Sequence, residues 1–424
     1  MTTGETAPSG RIERAQWIIL IVASAGWVFD VYEGQLFTIF KTPMLKSLLG
    51  PSSTPGAIDW HANLAFAIFL IGGAVGGLGF GVLADRVGRV RVMGLTILVY
   101  SLFSALTAFA RTTTQVEILR FLVALGTGGE WAVAAALVAE TFPTRSRALA
   151  SGIFHASSIL GAGLASITGI YLSGPDGWRT GFLIGLAPAL LTLYVRWGMT
   201  EPDPWKSAQN DTAPAPAGRL GELLGDPQWR PRAWLGLGLA AVGLATYWGI
   251  FAWGPELAGS LLGPNVSAAE RQSRSSFAYL IMNFTGGLLG LLGFAPAAER
   301  WGRRRAFQLY HVGALVTVPI TYLGASTYNQ ALWLLPVMGF FVVGMHAGYA
   351  IYLPELFPTR LRASGASFGF NVGRLLGATV LLVRGYLGEW LGLRWAVVAI
   401  AGLFLVGLIL LQFAPETRGR ELEA

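Results

Sequence analysis

The sequence predicts an all-α integral membrane protein of twelve transmembrane helices, arranged as two parallel six-helix repeats with both termini cytoplasmic. Three observations carry this expectation. Hydrophobic residues make up 53% of the 424-residue chain and charged residues only 12%, about half the charge of a soluble domain. Apolar runs long enough to cross a bilayer recur from end to end. The segment Glu140-Thr-Phe-Pro-Thr-Arg-Ser-Arg147 returns 215 positions later as Glu355-Leu-Phe-Pro-Thr-Arg-Leu-Arg362, which points to two homologous halves. The 56 glycines fit close helix contact, because small residues let backbones approach in lipid.

The polar start, residues 1–15, reads as a cytoplasmic tail with no small-residue cleavage site, so no removable signal peptide is expected. Six spans follow near 16–39, 62–84, 90–110, 114–139, 148–172 and 179–199, forming an N-terminal bundle over 16–200. Residues 201–231 are polar and proline-rich and read as a cytoplasmic linker, with a short surface helix around Leu220–Leu224. Spans near 232–254, 274–298, 304–324, 330–353, 363–387 and 393–414 form a C-terminal bundle over 232–414, and 415–424 is a second tail. Arginine clusters at Arg86 to Arg91, Arg145 to Arg147, Arg300 to Arg305 and Arg360 to Arg362 fall on one side, which the positive-inside bias makes cytoplasmic. The net charge of +7 therefore reports topology, not nucleic-acid binding. Six spans per repeat start both copies on the same side, related by an axis along the membrane normal. A plasma membrane location, the inner membrane of a bacterium, is expected, with the chain a monomer in the lipid bilayer.

The absence of cysteine excludes disulfides and thiolate chemistry. No metal cluster, nucleotide loop or nucleophile–base pair appears, so neither an enzyme nor a cofactor is expected. What remains is a short set of ionisable residues within spans. Each costs roughly 2.5–3.5 kcal/mol on insertion scales and is by default a site hypothesis.

Asp30 and Glu33 lie one turn apart on the first span. At 1.5 Å per residue, Asp30 is roughly 21 Å from the cytoplasmic side, and Arg120 on the fourth span about 9 Å from the other. In a core of about 30 Å those depths coincide, so an Asp30–Arg120 pair is expected, either titratable or a static ion pair. Glu130 and His346 lie at similar depth in corresponding spans, and with Asp30 and Glu33 they are the candidate proton-coupling groups. Neutral, hydrogen-bonded packing is the favoured reading for His346, with a proton role kept open, and for His155. Arg374 has no acid in its own span and faces Ser158 in the repeat, so it suits a substrate carboxylate, held bidentately. Asn371, Asn283, Tyr247 and Trp248 are further candidate substrate contacts, together with Arg120; packing is the alternative for the aromatic pair.

Gly81-Val-Leu-Ala-Asp-Arg-Val-Gly-Arg89 resembles the loop signature between the second and third helices of the major facilitator superfamily. Arg120-Phe-Leu-Val-Ala-Leu-Gly-Thr-Gly-Gly129 is similar to its fourth-helix signature, with Ala124 where a glycine is usual. The resemblance covers nearly the whole chain and implies a substrate cavity between two bundles, with alternating access. Gly128-Gly129-Glu130-Trp131 resembles the proton symporters of organic acids, including sialate and lactate carriers. A small carboxylate and protons are the implied partners. The family also implies a gate in which Asp85, Arg86 and Arg89, with Glu140 and Arg145, lock the cytoplasmic side. Glu299, Arg300, Glu355 and Arg360 are its second-half equivalents. A proton-driven efflux antiporter of amphipathic compounds and a non-transporting receptor of the same fold are the alternatives.

Overall fold

A computed structural model describes residues 13–50, 53–172, 176–210, 218 and 220–423. Most of the amino-terminal tail and the middle of the linker, 211–217, lie outside the described residues. The first half contains α1 Arg14–Leu49, α2 Pro55–Val87, α3 Arg89–Thr107, α4 Thr113–Thr141, α5 Thr144–Ala156, α6 Ser158–Tyr171, α7 Gly177–Ile184 and α8 Pro188–Gly198. Two short helices, α9 Asp203–Asn210 and α10 Leu220–Gly225, belong to the connecting segment. The second half contains α11 Trp229–Gly249, α12 Gly254–Ser260, α13 Ala268–Ile281, α14 Leu288–Trp301, α15 Arg303–Gly324, α16 Tyr328–Glu355, α17 Arg362–Ser367, α18 Gly373–Ala401 and α19 Leu403–Leu410. Among the described residues every regular element is helical.

Among the described residues, ten helical stretches are long and apolar enough to cross a membrane, against twelve expected. Two of the expected spans carry local irregularities. The sixth expected span is split into α7 and α8 by a turn over 185–187, just before Pro188. The eleventh opens with the short α17 and a π-turn over Phe368–Val372, and α18 then runs through a kink at Gly392 (φ 72°) into the twelfth. The first span is longer than expected and reaches Leu49, with Lys46 in its last turn, where a cation complements the helix dipole.

Helices α2, α4 and α5 of the first half pack against α14, α16, α17 and α18 of the second. Glycines set the closest approaches within each half. A Cβ at Gly128 or Gly76 would overlap backbone of the facing helix, and the same holds for Gly286 and Gly290.

The repeat survives in the hydrogen bonds. Glu201 accepts from the amides of Arg89 (2.7 Å), Val90 (3.1 Å) and Arg91 (3.1 Å) at the start of α3. Glu416 accepts from Arg303 (2.9 Å) and Arg304 (3.2 Å) at the start of α15. Each carboxylate satisfies orphan amides and complements the positive helix end. Gly88 (φ 125°) and Gly302 (φ 93°) make the turn just before each cap, and a Cβ at either would strike that carboxylate.

Both described ends of the chain meet the same face of the molecule. Gln16 donates to the Thr141 carbonyl, 2.9 Å, and Arg147 donates to the Arg420 carbonyl, 3.3 Å.

Candidate functional site

The loop following α2 forms an ion network that ties the halves together at that face. Asp85 is fully buried at the end of α2 and pairs with Arg89, one turn on, at 3.0 Å. Its two oxygens also accept from the amides of Ala363 (3.1 Å) and Ser364 (2.9 Å), and from the Ser364 hydroxyl. Arg89 pairs with Glu140 at 3.0 Å and donates to the Thr359 carbonyl. Arg362 closes the circuit to Glu140 at 2.6 Å. Five of these contacts cross from one half to the other.

The second-half copy is local. Arg303 pairs with Glu355 (2.9 Å) and with Glu299 (3.0 Å), and Glu299 is one-third exposed. A glutamate there, one methylene longer than Asp85, stays within its own half. Among the expected gate residues, Arg86, Arg145 and Arg300 are exposed, and Arg145 makes no ion pair among the described residues. Arg360 binds Glu222 of α10 at 2.7 Å, which fastens the connecting segment to this face. The partner of Glu140 that the expectation lacked is Arg362. Its signal was the second arginine of each Thr-Arg-x-Arg repeat.

Between the halves lies a cavity of about 190 Å³, below the ~300–1,000 Å³ typical of drug-sized pockets. Asp30 from α1 and Arg374 from α18 both line it, so each half contributes one charge. Tyr247, Trp248, Asn283 and His346, all expected near substrate or proton, line it as well. So do Trp27, Phe66, Phe69, His155, Tyr279 and Phe370, which sequence reasoning did not assign to a site. Their common signal, aromatic residues at helical spacing, is indistinguishable from ordinary packing in a sequence.

Two π-turns shape this wall. Met282–Gly287 carries Asn283 and Phe368–Val372 carries Phe370, with Arg374 two residues on. Such turns shift the register of side chains along a helix and occur often at functional sites. The rings pack in ordered contacts. Trp131 stacks on Phe370 across the halves, with centroids 3.7 Å apart, and Arg374 lies over the same Phe370 ring at 5.4 Å. At the end of the cavity away from the ion network, Phe66 meets Trp248 edge-on at 5.8 Å.

The expected Asp30–Arg120 pair is corrected. The cation acting on Asp30 is Arg374, and the acid acting on Arg120 is Glu33. Three residues along a helix turn a side chain by about 300°, so Asp30 and Glu33 point about 60° apart. That angle sends Asp30 to the cavity and Glu33 to α3 and α4. Matching depth placed the right helices together but could not choose between two acids one turn apart. Glu33 accepts from the Ser104 hydroxyl at 2.5 Å. Arg120 donates weakly to the Glu33 carbonyl, 3.4 Å, and sits over the rings of Phe37 (4.6 Å) and Phe69 (3.9 Å).

Glu130 is buried away from the cavity, accepting from Thr96 at 2.6 Å, beside Gly26, where a Cβ would strike it. Asn371 is also off the cavity. Its amide donates across the halves to the Gly128 carbonyl, 3.0 Å, and to Ser367, 3.1 Å.

An all-helical chain with an aromatic cavity between two repeated halves, and an ion network closing one end, has the architecture of a membrane carrier. Residues 17–380 match the Major Facilitator Superfamily, and the chain belongs to that family. Its members are transporters and not enzymes, and the chain is a multi-pass membrane protein. It is 34% identical over 409 residues to a probable 4-methylmuconolactone transporter of Cupriavidus pinatubonensis, covering 94% of this chain and 90% of that one. It is 28% identical to the cis,cis-muconate transport protein of Acinetobacter baylyi, covering 84% and 86%. It is 28% identical to the niacin transporter NiaP of the same organism, covering 99% and 98%. The fold is similar to that of the proton:xylose symporter XylE, with a TM-score of 0.77 and 16% identity over 96% of this chain and 98% of that one.

Proposed function

We propose that this protein takes up a small organic anion together with protons, by alternating access across a bacterial inner membrane. The observation that carries the reading is the pair of opposite charges, Asp30 and Arg374, contributed by opposite halves to one small cavity. A guanidinium is the side chain best shaped to hold a carboxylate. A bound carboxylate and the Asp30 carboxylate compete for that cation. When the anion takes Arg374, Asp30 loses its compensating charge and binds a proton more readily. Anion and proton then enter the occupied state together, which is the requirement for symport. Glu33 and Glu130 are further proton carriers in this scheme, each buried with a hydroxyl partner and away from substrate.

The aromatic walls fit a flat, unsaturated carboxylate, and the relatives named for muconate and niacin support that class. In this reading the chain has twelve spans in two six-helix bundles, 16–200 and 232–414, joined by a cytoplasmic linker. The ion network around Asp85 and Glu140 is then the cytoplasmic gate, and the protein works as a monomer.

The test is flux in proteoliposomes. An inward proton gradient should drive cis,cis-muconate or nicotinate above equilibrium, and a protonophore should abolish the accumulation. Extrusion driven by the same gradient would favour an efflux antiporter. Binding without any flux would make the protein a receptor.

A further inference from the structure

We propose that His346 determines specificity by accepting a hydrogen bond from an O–H or N–H at the end of the substrate remote from its carboxylate. The proposal rests on the anion reading above, because it takes the carboxylate to be held at Arg374.

The argument starts from which ring nitrogens carry hydrogen. The Nδ1 atom of His346 lies 3.2 Å from the Val343 carbonyl. A carbonyl only accepts, so Nδ1 carries the hydrogen. The ring is 94% buried, given its 6% exposure, and packs edge-on against Tyr247 (5.4 Å) and Tyr349 (5.6 Å). An unpaired cation in such surroundings is costly, so the ring is neutral and Nε2 is a bare acceptor. That Nε2 is buried and has no hydrogen-bond partner, although His346 lines the cavity. A buried acceptor left unpaired costs free energy, and a cavity ligand can recover it.

His155, from the other half, has the opposite pattern. The indole N–H of Trp131 reaches its Nδ1 at 3.1 Å. An indole nitrogen only donates, so Nδ1 accepts and Nε2 carries the hydrogen. Two imidazoles lining one cavity therefore differ: His346 has an acceptor left over and His155 a donor. A hydroxyl can serve both, giving its hydrogen to one and its oxygen to the other. An ether oxygen can serve only His155, and a bare C–H edge neither. A site with an unpaired polar group discriminates strongly against a ligand that cannot reach it.

The experiment measures binding to the full-length protein for benzoate, its three ring-hydroxylated isomers, their methoxy counterparts and the methyl esters of the hydroxylated acids. At least one hydroxylated acid should bind about tenfold or more tighter than both benzoate and its own methoxy counterpart. In His346→Phe that preference should vanish, and a melting transition like that of the wild type shows that the variant folds. His346→Gln, which retains an amide oxygen, should keep part of it. In the wild-type protein, the Nε2 resonance of isotope-labelled His346 should shift with the preferred hydroxylated acid and not with benzoate. Equal affinity for hydroxylated and parent acids, or a preference that persists in His346→Phe, overturns the proposal. Esters that bind as tightly as the acids would instead overturn the carboxylate reading at Arg374, and a hydroxyl preference would still be measurable on them.

Discussion

Arg374 reaches the cavity from the second half, and Asp30 reaches it from the first. Arg374 is only partly buried, with its guanidinium over Phe370, so some of its interaction with an anion is screened by water. Arg374→Ala should therefore weaken anion binding by about 2 kcal/mol, the lower end of what a buried charge pair loses on truncation. Titration calorimetry with cis,cis-muconate checks this. Arg374→Lys should not restore the affinity, because lysine lacks the planar two-pronged donor. Wild-type affinity in the alanine variant would make Arg374 a structural residue. The need for such a residue was legible in the sequence: a lone arginine within a span, with no counterpart in the repeat. Its partner was not legible. Depth along a helix gave Asp30 and Arg120 the same level, whereas rotation about the helix decides which acid faces which cation.

At the scale of elements, the caps of α3 and α15 are two copies of one device. Each helix starts at a glycine with positive φ, and each start is held by a glutamate more than a hundred residues away. Gly88→Ala and Gly302→Ala should each destabilise the protein by roughly 1–3 kcal/mol, the cost of a side chain in that backbone region. Melting in detergent should show both shifts. A change in only one would mean that the caps are not equivalent. The residues of these caps recur in the sequence, Gly88 and Gly302 at 214 positions and Glu201 and Glu416 at 215, but the pairing of each glutamate with its helix start emerges only in the fold. The π-turns that set Asn283 and Phe370 at the cavity were not announced. Nothing in the residue types of Met282–Gly287 or Phe368–Val372 distinguishes a π-turn from a continuous α-helix, and tertiary packing makes the choice.

For the whole molecule, the network joining Asp85 and Arg89 to Glu140, Thr359 and Arg362 stabilises one arrangement of the halves. Asp85→Asn removes a charge that accepts from Arg89, Ala363 and Ser364. The population should move away from the arrangement closed at this face. Turnover should fall more than substrate affinity does. The chain has no cysteine, so spin labels can be placed at exposed Arg145 and Arg305 through Arg145→Cys and Arg305→Cys without background. The label distance should lengthen in Asp85→Asn. An unchanged distance with unchanged turnover would reduce the loop to a topology signal. Membership of the family was legible from the loop and fourth-helix signatures. The asymmetry was legible only as an exchange, Glu299 standing where the first half has Asp85, each four residues before an arginine. Only packing shows that Asp85 crosses to the other half and Glu299 does not.

The measurement that tests the central claim most directly separates proton coupling from substrate movement in Asp30→Asn. If Asp30 takes the proton as the anion engages Arg374, the variant should lose accumulation driven by a proton gradient. It should retain exchange of labelled for unlabelled anion across the same proteoliposomes. Accumulation against a gradient at the wild-type level in Asp30→Asn would contradict the account, because the carboxylate facing the cavity would then have no part in coupling.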